Sequence, residues 1–178
     1  NKARYGEKGE SLRQAKEHIQ FVAKLYRIQQ EEGRLFLHEH PANATSWQLA
    51  AVKKIMKLEG VKVVIADQCM YGLQSWSTHR GIHDTRARKR TKFMCNSECL
   101  AEELNKKCDQ KHKHQVLEGG RAREAAKYPR GLCEAICRGL QAEKRRLIQE
   151  IRCLLTVHAK TKIETHNDHE ELCDEAWA

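Results

Sequence analysis

Apolar side chains recur at three- and four-residue steps through Leu12, Ala15, Ile19, Val22, Ala23 and Tyr26, with Ser11 placed as a cap and Gly33 as a stop. That spacing predicts an amphipathic helix. The period then changes: Arg34-Leu35-Phe36-Leu37-His38-Glu39 is a short apolar run that turns polar and meets Pro41, the pattern of a buried strand ending at a site. Helical spacing returns at Trp47, Ala51, Ile55 and Leu58, behind Thr45 or Ser46 as cap and ahead of Gly60 as stop. Val61 to Asp67 is β-branched and apolar, a second buried strand.

Strand, helix and strand within about thirty residues predict a βαβ unit with parallel strands and a right-handed crossover. Residues 70–90, with Gly72, Gly81 and many polar groups, are expected to form a long loop. Thr91 to Cys95 suits a third strand, Ser97 can cap a helix bearing Leu100 and Leu104, and the stretch from Cys108 to Gly120 looks irregular. Pro129 fits the first turn of a final long helix with an apolar stripe of Cys133, Ile136, Leu140, Leu147, Ile151 and Leu154. Beyond Leu147 this helix is expected to leave the core, and Glu164 to Glu175 to form a mobile or interaction segment. The resulting division is a flexible N-terminus at 1–10, an α/β half-domain at 11–140, and a helix extension with an acidic tail at 141–178.

Charge and composition narrow the classes. No apolar run approaches the roughly 20 residues of a membrane span, and the first residues lack an apolar signal core, so a soluble intracellular protein without a membrane partner is expected. The absence of an initiator Met suggests a fragment or processed product. A net charge of +9 favours polyanionic partners, DNA or RNA. Eight cysteines without a secretion signal are expected to be reduced thiols, buried or metal-bound, and no CxxC pair is present.

Four constellations carry candidate chemistry. His38, Glu39 and His40 stand at the carboxyl end of the first strand, where open α/β sheets bind ligands, and a partly desolvated Glu39 there would be able to donate a proton or hydrogen bond to a nucleobase. The alternative is that Glu39 caps the following loop while the histidines satisfy backbone groups. After the second strand, Tyr71 is placed to stack on a base and Gly72 to admit close backbone approach; a tyrosine packed over a turn glycine is the alternative. The stretch from His79 to Lys92, with Arg80, Arg86, Arg88, Lys89 and Arg90, is the densest positive run; it can track a phosphate backbone, resembles a nuclear-localisation stretch, or is simply solvated. Finally, Cys108, His112 and His114 are zinc-compatible ligands within seven residues, with Cys69, Cys95 or Cys99 available as a fourth. Cys133 and Cys137, one turn apart, are expected to be small buried side chains.

Glu39 after an apolar strand, then Tyr71-Gly72 and Gln74, then Arg86-Ala87-Arg88 before a strand, resembles the later motifs of cytosine-C5 DNA methyltransferases. Cys69-Met70-Tyr71-Gly72, Thr91 to Asn96, Cys108 to His114 and Tyr128-Pro129 are similar, in the same order, to methyltransferase-like segments of eukaryotic retrotransposon polyproteins. The resemblance covers roughly residues 12–140. It implies an α/β fold, a partial Rossmann-like (class I methyltransferase-like) sheet with flanking helices and a long C-terminal helix. It also implies that Glu39 holds a pyrimidine ring, with Arg86 and Arg88 near the target base. Glu39-His40 stands where the enzymes have Glu-Asn, and an insertion after Gln74 breaks their Gln-x-Arg spacing. The chain contains neither a glycine-containing cofactor turn nor a Pro-Cys nucleophile, so S-adenosylmethionine would bind only if upstream sequence supplied its site. The expectation is therefore a nucleic-acid-associated, mobile-element-derived, catalytically incomplete domain. Two other classes remain open: a helical scaffold binding a protein partner through the C-terminal helix, and a zinc-stabilised nucleic-acid-binding module.

Overall fold

The computed structural model describes residues 2–75, 86–118, 122–123 and 125–174, with side chains described between residues 9 and 158. The chain divides into two compact units, Asn1–Leu140 and Gln141–Ala178. In chain order the elements are α1 (Lys2–Glu31), β1 (Leu37–Pro41), a 3-10 turn (Thr45–Gln48), α2 (Ala50–Met56), β2 (Lys62–Asp67), a second 3-10 turn (Gln68–Tyr71), β3 (Arg90–Cys95), α3 (Glu98–Glu103) and α4 (Arg130–Asp174). The helix α1 starts at Lys2, ahead of the Ser11 cap expected from the sequence. It stops where Gly33 adopts a φ of +66°, a conformation that a Cβ would strain.

The three strands form one antiparallel sheet in the order β1-β3-β2. β3 pairs with both neighbours, Phe93 lying opposite Glu39 on one side and Val64 on the other. β1 and β2 thus run in the same direction, as a strand-helix-strand unit requires, but the expected direct parallel pairing between them is replaced by β3 inserted antiparallel. Burial explains the choice. Phe93 and Cys95 on one face of β3 and Met94 on the other are all fully buried, whereas Lys62 and Val63 of β2 and Pro41 of β1 remain exposed. The strand with apolar residues on both faces takes the centre. Pro41, which lacks an N–H, closes an outer strand where that loss is tolerated.

Alternation along the strands sends the two faces to different cores. Phe93, Cys95 and Ala66 pack with Leu100, Ala101 and Leu104 from α3 and its end, and with Leu132 and Ala135 from the first turns of α4. Met94 packs on the opposite face with Ala23, Phe36, Trp47, Val52 and Ile55. Ser97 caps α3 as expected, its Oγ accepting from the Leu100 N–H at 3.1 Å. The inward face of α4 is offset from the expected stripe: Leu132, Ala135 and Gly139 are buried, while Cys133 and Cys137 are exposed rather than buried. Glycine sets that choice. A Cβ on Gly131 would stand 2.5 Å from the Tyr71 carbonyl oxygen, and one on Gly139 would stand 2.8 Å from the Leu100 Cα.

Candidate metal centre

Asp67 closes β2 with its side chain almost wholly buried, and that carboxylate ties together the chain segments around it. It accepts from Arg88 through Nε and Nη2 at 3.1 and 3.2 Å, and from the Cys108 N–H at 3.0 Å. Burial alone would raise its pKa. The Arg88 hydrogen bonds, the Cys108 N–H and the charges of Arg88 and Arg90 together outweigh burial and hold the carboxyl below its ordinary value. Backbone bonds lace the same three segments together: Asp67 N–H to Lys106 O at 2.9 Å, Gln68 N–H to Lys89 O at 3.0 Å, Ala87 N–H to Leu73 O at 3.0 Å, and Gln115 N–H to Arg86 O at 2.7 Å.

This lacing brings Cys69, directly after β2, against Cys108, His112 and His114. One ligand atom from each of the four lies within 4.8 Å of every other. The Cys108 Sγ is 3.6 Å from His112 Nε2 and 3.3 Å from His114 Nε2. A tetrahedral zinc with ordinary Zn–S and Zn–N bonds would separate a sulfur from a nitrogen by roughly 3.5 Å, so the donors already stand near coordinating distance. Two thiols and two imidazoles are also the donor chemistry of structural zinc. Of the three candidates for a fourth ligand, the fold selects Cys69. Cys95 is in the core with its thiol directed to the Ser97 carbonyl at 3.4 Å, and Cys99 lies outside the group.

The thiol of Cys69 is pushed up to about 12, first by burial and then by the adjacent Cys108 thiol. A cation between the sulfurs reverses that balance, since a coordinating thiol gives up its proton. His112 has a partner on its other side. Its Nδ1 is 3.1 Å from Arg86 Nη1 and 3.8 Å from Asp109 Oδ1. A guanidinium only donates, so Nδ1 accepts from Arg86 in this arrangement; a metal on Nε2 would need the proton on Nδ1, for which the Asp109 carboxylate, 3.8 Å away and not hydrogen-bonded, is the nearby acceptor.

The remaining predicted residues fall in different places. His38 is buried on the α1/α2 side of the sheet, its Nδ1 sharing a hydrogen bond with the Tyr26 hydroxyl at 3.0 Å and its ring edge-on to Trp47. Burial, then the neighbouring His40, lowers its pKa to about 4, so it is a neutral core histidine. His40 shares a 2.8 Å hydrogen bond with Ser46. Glu39 has the register of the opposite face, where Oε2 accepts from the Tyr128 hydroxyl at 2.9 Å and Oε1 is buried without a partner among the described residues. Alternation in the strand therefore parts Glu39 from the two histidines, which share the other face with ring centroids 6.0 Å apart.

Tyr71 is 5% exposed and donates its hydroxyl to the Glu103 carbonyl at 2.8 Å; it is a core residue and not a free stacking platform. Burial pushes its pKa up to about 12. Gly72 has a φ of +83° and ends the 3-10 turn. Gln74 is exposed and bridges to Arg86. Arg88 is paired with Asp67, its side chain 37% exposed. Lys89 stands 5.9 Å from the Tyr128 ring centroid, and Arg90 is exposed at the start of β3. Arg80 lies outside the described residues. Sequence reasoning misses Asp67, whose only signal is a carboxylate closing an apolar strand, and Tyr128, whose only signal is its place before Pro129.

No helix among the described residues is long and apolar enough to cross a membrane. No family model matches the chain, and neither a curated protein nor a solved structure does so.

Proposed function

We propose that this chain is a zinc-stabilised α/β module that contacts nucleic acid through the basic segment built onto its metal centre. The observation that carries the reading is the convergence of Cys69, Cys108, His112 and His114 from segments separated by about forty residues, with two thiols and two imidazoles at coordinating spacing. Zinc there would tie the 108–115 segment, which has little regular structure of its own, to the end of β2. It would thereby support the 86–90 segment hydrogen-bonded to both. Arg86, Lys89 and Arg90 supply cationic groups for phosphate contacts, with Arg88 acting as their anchor through Asp67.

Elemental analysis of the purified full chain tests the first half: one zinc per chain is expected, lost in Cys108→Ser and His114→Ala. Fluorescence anisotropy with single- and double-stranded oligonucleotides tests the second: binding should weaken with salt and on chelation. A metal-free wild-type chain that retains its fold would overturn the centre. Stoichiometric zinc without salt-dependent oligonucleotide binding would overturn the nucleic-acid role.

A second reading, a catalytically incomplete methyltransferase-like half-domain, is favoured by the shared direction of β1 and β2 with a helix between them. Doubly wound sheets commonly carry an antiparallel strand at the edge of an otherwise parallel sheet, whereas here β3 lies between β1 and β2. The outer side of β1 has no strand partner among the described residues, which leaves room for a wider Rossmann-like sheet. This reading expects S-adenosylmethionine to bind only when a cofactor-binding segment is supplied in addition. Calorimetric titration of the 178-residue chain with S-adenosylmethionine should therefore give no heat of binding; saturable binding to this chain alone would contradict it.

A further inference from the structure

The four donors of the metal centre differ in what else they can do. His112 and His114 bind or release a cation or a proton, whereas Cys69 and Cys108 can also be oxidised. The two thiols are neighbours: their sulfurs lie within 4.8 Å of each other, and Cys108 is the hydrogen-bond partner of the Cys69 thiol. Backbone contacts set this pairing. The Asp67 N–H donates to the Lys106 carbonyl at 2.9 Å, and each cysteine stands two residues beyond one end of that bond. The Asp67 carboxylate adds a second tie, accepting from the Cys108 N–H at 3.0 Å. Exposure divides the pair, since Cys69 is 2% exposed and Cys108 only half-buried. Cys133, Cys137 and Cys153, exposed on α4, stand outside this group.

We propose that Cys69 and Cys108 form a redox pair, which a peroxide converts to a disulfide with expulsion of zinc from the site. The inference rests on the metal centre proposed above, but the disulfide is read separately from the metal. Cys108, the half-buried thiol, is the one a peroxide reaches. Its sulfur attacks one peroxide oxygen, the O–O bond breaks, hydroxide leaves, and Cys108 becomes a sulfenic acid. The Cys69 sulfur then attacks the Cys108 sulfur; the S–S bond forms and the S–O bond breaks with loss of a second hydroxide. Two zinc-bound thiolates have given up two electrons, and the peroxide has been reduced to two hydroxides. Zinc needs the thiolate as ligand, and the two histidines that remain are half of its tetrahedral set, so the cation leaves. The new bond keeps Cys108 beside the end of β2 while His112 and His114 lose their metal. Oxidation therefore loosens the segment from Asp109 onward and leaves its start in place.

Titration of the full chain, purified with zinc, by hydrogen peroxide tests the pair. A colorimetric chelator reads the released zinc, and mass-spectrometric peptide mapping without reduction reads the disulfide. One zinc released for each Cys69–Cys108 disulfide is expected, with both changes reversed by a dithiol reductant and added zinc. Cys133→Ser/Cys137→Ser/Cys153→Ser removes exposed thiols and should leave that ratio unchanged. Cys69→His keeps four zinc-type donors but cannot form the disulfide, and it should hold its zinc at the peroxide dose that empties the wild type. Oxidation of Cys133 or Cys153 while Cys69 and Cys108 stay reduced overturns the proposal. So does Cys108 arrested as a sulfinic acid, or linked to any cysteine other than Cys69. A Cys69–Cys108 disulfide formed in a chain that never held zinc supports the redox pair and overturns the metal centre.

Discussion

His38 is a candidate catalytic group by its neighbours in sequence, yet its partners are Tyr26 and Trp47, and its titration bears on stability. Its folded pKa of about 4 lies below the ordinary 6.5. The unfolded chain therefore binds the extra proton first as pH falls, and stability present above 6.5 is lost progressively towards 4. The wild type should lose about 2 kcal/mol more than His38→Phe between pH 7 and pH 5. Urea denaturation of both proteins at the two pH values measures this; equal losses would show that His38 does not contribute. The metal ligands titrate in both proteins, so their effect cancels in the difference. His38, Glu39 and His40 are legible as a polar ending to an apolar run. Which face each takes depends on a register that only a partner strand sets. Tyr71 fails as an exposed platform for a related reason: a turn after a strand can point its ring outward or into the core, and here the Glu103 carbonyl offers the hydroxyl a partner inside.

Most elements are readable from period alone, since 3.6- and 2-residue repeats are local properties. Their neighbours are not. Nothing in Thr91 to Cys95 states that it will separate β1 from β2; the insertion comes from its having apolar residues for both cores at once, as Phe93 and Met94 do. The inward face of α4 likewise lies about one residue from the expected stripe, because Cys133, counted towards that stripe, is exposed and a glycine faces α3. Gly139 provides the test. Alanine is the better helix former by about 1 kcal/mol, but its Cβ would meet the Leu100 Cα at 2.8 Å and the Cys99 carbonyl at 3.2 Å. Gly139→Ala should therefore destabilise by a net ~2 kcal/mol, read as a lowered denaturation midpoint. A midpoint raised by the propensity gain would mean that the α3–α4 approach is loose.

For the whole molecule, zinc held by Cys69, Cys108, His112 and His114 would link the end of β2 to the 108–114 segment. The 108–118 segment contains no helix or extended strand, and its attachments include the Cys108 bond to Asp67, the Gln115 bond to Arg86, the packing of Leu117 against Leu73, Ala87 and Ala125, and the cluster of ligands. With free zinc about a thousandfold above its dissociation constant, binding should add on the order of 4 kcal/mol to folding. Scanning calorimetry with and without a strong chelator should show a clear fall in the unfolding temperature. An unchanged transition would separate the ligand cluster from any structural role.

Local chemistry is enough to specify the elements, the Ser97 cap, the basic segment and three of the four zinc-type ligands, because spacing and side-chain type carry that information along the chain. The antiparallel order β1-β3-β2, the burial of Tyr71, the parting of Glu39 from its flanking histidines and the choice of Cys69 over Cys95 or Cys99 are long-range outcomes. They depend on which strand could bury both faces and on where Asp67 draws Arg88 and Cys108, and no local period encodes either.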